Sequence, residues 1–178
     1  MTMQRVVHLV RLAVLAAALV LAPAMGRAQT AAIGAQAMIS TTALSIGQMQ
    51  DLRFGNVVAG VPVTINPRTN ANAGAWVIHG NRNAEISVQL TLPTQLSTGF
   101  WNMPIAFANN SGCWRRAPGQ AGCTFWNPAV TLVRRIRNQN PPNNTFHVWI
   151  GGTVTPAAGQ NTGVYLGNVT LTVAYTGN

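Results

Sequence analysis

Residues 85–92, "EISVQLTL", alternate strictly between polar and apolar side chains. The apolar members share one side of an extended chain: Ile86, Val88, Leu90 and Leu92. A period of two over eight residues predicts a β-strand with one buried face. The interpretation of the whole chain starts from this segment, because the other periodic segments repeat its pattern.

Seven further segments have the same extended character, and turn-forming clusters rich in Asn, Gly and Pro separate them. They are residues 35–46, 61–65, 75–79, 103–108, 129–136, 146–150 and 169–175. No segment after residue 28 shows a sustained helical period. The spacing predicts an all-β protein, a two-layer antiparallel sandwich of about seven to nine strands.

Residues 1–28 have the features of a secretory signal peptide. Arg5 and Arg11 precede an apolar run, and Gly26 and Ala28 supply the small residues of a cleavage site. The alternative, a retained membrane helix, needs about 20 apolar residues, and this run is shorter. We therefore expect residues 29–178 to form one domain with no transmembrane segment, exported to the periplasm, the cell surface or the medium.

The exported part is basic, because eight of the eleven Arg residues lie after residue 28 and Asp51 and Glu85 are its only acids. The resulting formal charge of +6 suits either an anionic partner or a soluble surface. The run "RRIR", with Arg134, Arg135 and Arg137, could bind an anionic polymer such as lipopolysaccharide. If residues 129–136 form one strand leading away from the other Arg pair, no single patch forms. This favours solubility, and no nucleic-acid partner is expected.

Cys113 and Cys123 are the only cysteines, and an exported chain favours a disulfide between them. Trp114, Arg115 and Arg116 lie inside the short loop that this bond closes. Trp and Arg are enriched at binding hot spots, so the three residues are a candidate contact for a partner or ligand. The alternative is that Trp114 packs on its own hairpin; we do not expect it to reach the core.

Acid–base chemistry has few candidate residues. Asp51 and Glu85 could form a glycosidase pair, but both are expected at solvated strand ends. His147 alternates with apolar neighbours and is expected to face outward, and His79 lies at a strand end. Two His residues without a third ligand make a poor metal site. We therefore expect no enzyme, no cofactor and no metal.

The last periodic segment raises a question of pairing. Val169, Leu171, Val173 and Tyr175 predict a buried strand, with the Tyr175 hydroxyl at a polar partner or water. An exposed apolar edge invites aggregation, so this strand needs a neighbour. Residues 35–46 can supply it, either from the same chain or from a neighbouring subunit.

The C-terminal sequence resembles a family of bacterial secreted β-domains of unknown function. Three elements match the family pattern: a "GGT" strand, a Gly-x-Tyr-x-Gly turn and a terminal strand ending in Val-x-Tyr. They are carried by Gly151, Gly152 and Thr153, by Gly163, Tyr165 and Gly167, and by Leu171, Val173 and Tyr175. "LRFGNVVAG" at residues 52–60 resembles the family's early element. The loop between the two cysteines is not part of the pattern.

The same terminal strand is similar to those of spore-coat-U-like proteins and chaperone–usher pilin subunits. Gly163 precedes Tyr175 at the pilin spacing, but three residues follow the Tyr here. The resemblance implies an Ig-like or pilin-like sandwich without catalytic residues. It also implies copies of the chain, other pilus-like subunits and a periplasmic chaperone as partners.

Two functions fit these features. The first is a structural or adhesive cell-surface protein, a fimbria-like subunit that assembles by strand addition. The alternative is a secreted carbohydrate-binding module without catalytic activity that binds a surface glycan. Its basis is five Trp residues among many amide side chains: Trp76, Trp101, Trp114, Trp126 and Trp149.

Overall fold

The structure is a computed structural model that describes residues 43–137 and 144–177. These residues belong to one compact unit, Ser40–Asn178. They contain twelve β-strands and no helix. In chain order the strands are β1 (Ser45–Gln50), β2 (Val63–Ile65), β3 (Gly74–His79), β4 (Glu85–Thr91), β5 (Gln95–Thr98), β6 (Trp101–Ala106), β7 (Gly112–Arg115), β8 (Thr124–Trp126), β9 (Leu132–Arg135), β10 (Thr145–Ile150), β11 (Gly152–Val154) and β12 (Thr170–Tyr175).

The strands form three antiparallel sheets. The largest has the order β1-β3-β10-β7-β8, the second β2-β11-β6-β5 and the third β12-β4-β9. The five-stranded and three-stranded sheets pack face to face across the main hydrophobic core. β3 and β10 supply one side of that core, with Ile78, Phe146 and Val148, whose side chains are fully buried. The result is a β-sandwich, as the alternation of the sequence predicts.

Gly151 connects the five-stranded and four-stranded sheets, because it is the single residue between the end of β10 at Ile150 and the start of β11 at Gly152. A Cβ atom at this position would lie 2.0 Å from the carbonyl oxygen of Ile65. Only glycine allows the two backbones to approach this closely. Beyond the crossing, Met103, Ile105 and Val154 form a second, smaller core.

The all-β class is confirmed, but the strands are shorter and more numerous than predicted. Three strands were not predicted from the sequence, β5, β7 and β8, whereas β11 coincides with the "GGT" strand of the family pattern. Of the predicted segment 35–46, only the last two residues belong to β1. Residues 35–42 lie outside the described part of the chain. The signal-peptide prediction for residues 1–28 also lies outside it.

β12 pairs with β4 along its full length, from Thr170 opposite Thr91 to Tyr175 opposite Ile86. This neighbour was not predicted. Within the described residues, the other edge of β12 is the outer edge of its sheet. Whether residues 35–42 lie beside that edge stays a prediction.

Candidate functional site

The disulfide lies in the hairpin formed by β7 and β8. Cys113 and Cys123 are bonded, with their Cα atoms 5.7 Å apart, which confirms the predicted bridge. Both residues are fully buried, in a small cluster with Ala75 and Trp149. This cluster lies on the outer face of the five-stranded sheet, because β10 alternates between Phe146, Val148 and Ile150 in the main core and His147 and Trp149 on the other face.

The loop that follows β2 covers this outer face. The guanidinium of Arg68 lies 3.9 Å from the ring centre of Phe125, and it donates a hydrogen bond to the carbonyl of Cys123. Gln120 Nε2 donates to the carbonyl of Asn70, at 3.0 Å, on the same loop. The sheet is therefore buried on both faces around the disulfide.

His147 is buried as a consequence, and the expectation that it faces solvent was wrong. Its ring stacks on that of Trp149, with centroids 5.8 Å apart. Its Nδ1 is buried without a hydrogen-bond partner among the described residues. Burial, and to a smaller degree the charge of His79, lowers the pKa of His147 below its ordinary value. The burial of the outer face of β10 could not be predicted from alternation, because a loop distant in the sequence covers that side of the sheet.

Trp114 contacts the main core, which also contradicts the sequence-based expectation. Its ring stacks on Phe146, with centroids 5.3 Å apart and planes 11° from parallel. It points inward because it lies opposite Val148 in the β7–β10 pair. The disulfide loop is thus a regular hairpin, and its Trp is a half-buried member of the core. Whether Trp114 also contacts a partner stays a prediction.

Arg115 and Arg116 point in different directions. Arg115 Nη1 donates to the carbonyls of Gly119 and Ala121, at 3.4 and 2.5 Å, and so stays with the disulfide loop. Arg116 crosses to the three-stranded sheet, where its Nε donates to the carbonyl of Arg135 at 3.1 Å. The candidate triplet predicted from the sequence therefore does not form a single surface.

The two basic groups meet over Trp114, whereas a single strand at residues 129–136 leading away from the loop would have separated them. The guanidiniums of Arg116 and Arg134 lie 5.2 and 5.1 Å from the Trp114 ring centre. Partial burial and the nearby positive charges of Arg137 and Arg134 lower the pKa of Arg116. We call Arg116, Arg134 and Arg137 the arginine cluster. The prediction failed because β7 and β9 belong to facing sheets and are brought together by packing.

The Gly-x-Tyr-x-Gly segment runs beside β5. Leu166 and Ser97 exchange two backbone hydrogen bonds of 2.8 Å, which attach the segment to the edge of the four-stranded sheet. A Cβ atom at Gly167 would lie 2.6 Å from Leu96 Cδ2, and one at Gly163 would lie 3.0 Å from Thr98 Oγ1. A larger residue at either position would have to displace the side chain of Leu96 or Thr98 on β5.

Tyr165 lies between the two glycines and is half-buried against the smaller core. Its hydroxyl donates to the carbonyl of Asn161 at 2.8 Å and accepts a hydrogen bond from Gln160. The side chain thereby fixes the loop that leads to the last strand.

The last strand has the predicted alternation. Val169, Leu171, Val173 and Tyr175 all face the main core, but each is only half-buried. The Tyr175 hydroxyl accepts a hydrogen bond of 2.7 Å from the backbone N–H of Asn81, which confirms the predicted polar partner. The incomplete burial follows from the position of β12 at the edge of its sheet.

The edge strands β1 and β12 lie on the same side of the sandwich, and an apolar groove opens beside β1. Gly80 shows that these edges lie on the same side, since a Cβ there would approach both Tyr175 and Leu44. An open groove of about 1100 Å³ extends from Gln48 and Gln50 of β1 to the segment before β12. Its lining includes apolar residues from both cores: Leu52, Phe54, Trp76, Leu96, Met103, Ile105, Ile150, Val154 and Val169.

The tip of the β5–β6 hairpin carries two exposed aromatic side chains: Trp101 is one of the five Trp residues named from the sequence for glycan binding, and Phe100 was not predicted. Phe100 is 96% exposed and Trp101 53% exposed, next to Gly99 in the turn. Val164 and Leu166 are also exposed, at 74% and 71%. The signal in the sequence was the pair of aromatic residues directly after a turn-forming glycine.

Asp51 and Glu85, the two acidic residues of the sequence, are both engaged in side-chain contacts. Asp51 pairs with Arg53 at 3.2 Å and accepts a hydrogen bond from Gln48. Glu85 lies 4.0 Å from Arg135 and accepts a hydrogen bond of 2.8 Å from Thr176. Within residues 43–137 and 144–177, no three His, Cys, Asp or Glu side chains are grouped to hold a metal ion. The expectation that the chain is not an enzyme stays a prediction.

Comparison with known proteins found no matching family model, curated protein or solved structure. The resemblance to secreted β-domains and pilin-like subunits therefore stays a prediction. In the part of the chain that the structure describes, no helix is long and apolar enough to cross a membrane.

Proposed function

We propose that this chain is an exported structural or adhesive protein of the cell surface, with an Ig-like, pilin-like sandwich that assembles by β-strand addition. The observation that carries the proposal is the pair of edge strands β1 and β12 together with the apolar groove. Both are outermost strands of their sheets in the described chain, and the groove runs from β1 to the segment directly before β12. An edge with free backbone groups beside an apolar groove is suited to accept another strand.

Backbone and side-chain interactions would both contribute to this addition. A strand laid along β12 gains main-chain hydrogen bonds, and its side chains can contact the groove where it passes Val169, directly before β12. Ile46 of β1 is 42% exposed, and Leu171 and Val173 are half-buried, so an added strand would cover apolar surface. Burial of such surface stabilises association by about 25 cal/mol per Å² before the costs of ordering are subtracted.

The occupant that we propose is the segment 29–42 of a neighbouring copy. In its sequence Ile33, Ala35, Ala37 and Ile39 alternate with Gly34, Gln36 and Met38, which is the period of a strand. An unfilled groove would expose the same apolar surface during export. A periplasmic chaperone or another pilus-like subunit that covers the groove is therefore the expected partner before assembly.

The test compares three purified chains: residues 29–178, the deletion 41–178, and the double variant Ile33→Asn/Ile39→Asn. Donation predicts that the first forms high-mass species in light scattering, while the other two are folded monomers. Gln36→Asn, which leaves the apolar positions unchanged, is the matched control and should still assemble. A deletion that aggregates or loses its fold would instead assign the segment to its own sandwich, and a monomeric 29–178 chain would contradict assembly.

A carbohydrate-binding module is a second candidate, favoured by the exposed aromatic residues Phe100 and Trp101 at the hairpin tip. Aromatic faces beside amides such as that of Asn102 suit sugar rings. Trp101→Ala should abolish retention on glycan resin with little change in melting temperature, because the side chain is 53% exposed. Retention that is unchanged by this variant, or absent for the unmodified protein, would exclude the hairpin tip as a glycan site.

A further inference from the structure

The arginine cluster closes the side of the sandwich opposite the open groove. Arg116 comes from the end of the five-stranded sheet, whereas Arg134 lies on β9 of the three-stranded sheet and Arg137 follows it. Trp114 lies beneath two of the guanidiniums, and the bond from Arg116 to the carbonyl of Arg135 joins the facing sheets. Arg116 and Arg134 are thus held over one indole by contacts that do not neutralise them, and the positive charge of Arg137 acts on Arg116.

No carboxylate is available to balance this charge. The exported sequence has two acidic residues, and each pairs with an arginine outside the cluster. Asp51 pairs with Arg53, and Glu85 with Arg135. Grouping like charges is unfavourable, and the lowered pKa of Arg116 reflects this repulsion together with partial burial. An anion bound here would remove the repulsion.

Donor groups remain for such an anion. Arg116 uses Nε for the carbonyl of Arg135, and Arg134 uses Nη1 for the carbonyl of Val133. The remaining guanidinium N–H groups have no acceptor among the described residues. The indole Nε1 of Trp114, in the same cluster of contacts, is also buried without a partner there. Packing on the indole fixes the direction of two guanidiniums, which lowers the entropy lost when they bind a ligand.

We propose that Arg116, Arg134 and Arg137 form a binding site for a phosphate monoester. Guanidinium groups bind phosphate oxygens through paired, charge-assisted hydrogen bonds. A phosphate carrying close to two negative charges balances three arginines better than one carboxylate does. The phosphate can belong to a soluble molecule or to a lipid headgroup on a membrane surface. The site is separate from the open groove, so the proposal does not depend on strand addition.

The first measurement is calorimetric titration of residues 29–178 with inorganic phosphate at pH 7.5 and low ionic strength, where screening is weak. We expect saturable binding that Arg116→Gln and Arg134→Gln weaken at least about tenfold, the loss typical of a charge-assisted hydrogen bond. Arg137→Gln should also weaken it, and its side chain is exposed, so this variant tests the site even if the other two fold poorly.

Matched controls remove the same charge elsewhere. Arg115→Gln changes the neighbouring residue, whose side chain binds the disulfide loop, and Arg53→Gln changes an arginine paired with Asp51. Both should alter phosphate affinity by less than about twofold, because screened charges outside the site contribute little. Equal losses in all five variants would indicate non-specific attraction and overturn the proposal. Absent saturation, or acetate binding as tightly as phosphate, would also overturn it.

A second arm distinguishes the sources of the phosphate. Vesicles of phosphatidylcholine with and without phosphatidic acid are sedimented with the same proteins. Retention that requires both phosphatidic acid and the arginine cluster would support the site and assign it to a lipid headgroup. Binding of free phosphate with no vesicle retention would support it and assign it to a soluble phosphate ester.

Discussion

His147 shows how a titratable residue becomes buried in a chain with few charges. It lies on the outer face of β10, stacks on Trp149 and has Arg115 and Val77 as its cross-strand neighbours. The neutral ring fits this surrounding, and the protonated ring does not, so the pKa is lowered on folding. The unfolded chain therefore binds a proton more readily than the folded protein.

We predict that the free energy of unfolding falls as the pH drops below about 6.5, the ordinary His pKa. A group whose pKa is lower in the folded state destabilises the fold once the unfolded chain protonates it, and it has no such effect at higher pH. Urea denaturation of the unmodified protein and of His147→Asn between pH 5 and 8 measures this. The variant should show a flatter pH dependence, and parallel curves would contradict the assignment.

Trp114 gives the second prediction at this scale. Trp114→Ala should lower the free energy of unfolding by about 2–4 kcal/mol, since it removes a half-buried ring that stacks on Phe146. Chemical denaturation measures the loss, and Trp101→Ala, at an exposed position, is the control. A loss no larger than that of Trp101→Ala would contradict the role of Trp114 in the core.

The role of a residue could be predicted from the sequence where its chemistry alone determines that role. It could not be predicted where burial depends on the packing of distant elements. Two cysteines in an exported chain have one possible partner each, so the disulfide was predictable. Trp114 and His147 alternate correctly along their strands, but alternation does not say which face is covered. Arg68 covers one of those faces, and its position in a distant loop carries no signal in the sequence.

Among the elements, the crossing from β10 to β11 depends most on a single residue. Gly151→Ala should prevent correct folding or cost several kcal/mol, because the added Cβ would overlap the carbonyl oxygen of Ile65. Gly159→Ala is the matched control, since nothing lies within 4 Å of the added Cβ. Soluble yield and thermal melting of both variants test this, and equal stability would contradict it.

Strand prediction succeeded where alternation was long and failed where strands were short. β4, β10 and β12 have six or seven residues with a clear period of two. β8 and β11 have three residues each, too few for a period to be recognised, and β7 was hidden inside what was interpreted as a loop. Sheet order was not predictable, because β4 and β12 are nearly 80 residues apart in the chain.

At the scale of the whole molecule, the disulfide is expected to stabilise without defining the fold. It closes a loop of ten residues, which corresponds to about 2.5 kcal/mol in the chain-entropy model. Cys113→Ala/Cys123→Ala should lower the melting temperature while the far-ultraviolet circular dichroism stays that of a β-protein. Complete loss of the β-spectrum at room temperature would show that the hairpin is required for folding.

The sites themselves were the least predictable features. The groove and the arginine cluster each combine residues from facing sheets, so they exist only once the layers pack. The terminal segment was predicted as an assembly element from its sequence, and its place beside the groove supports that proposal. The strand that pairs with the terminal segment could not be predicted, since the order of strands in a sheet, and not the residue type, determines which strands lie at its edges.

The arrangement of β10 also sets the folding kinetics. This central strand needs β3, about 70 residues before it, and its sheet faces β4, whose partner β12 is the last strand of the chain. Among the strands of residues 43–137 and 144–177, only the β5–β6 and β7–β8 hairpins join consecutive strands. Long-range pairing of this kind places folding in the millisecond-to-second range. We therefore expect refolding to show an early signal from the two hairpins and a slow main phase in which the sandwich closes.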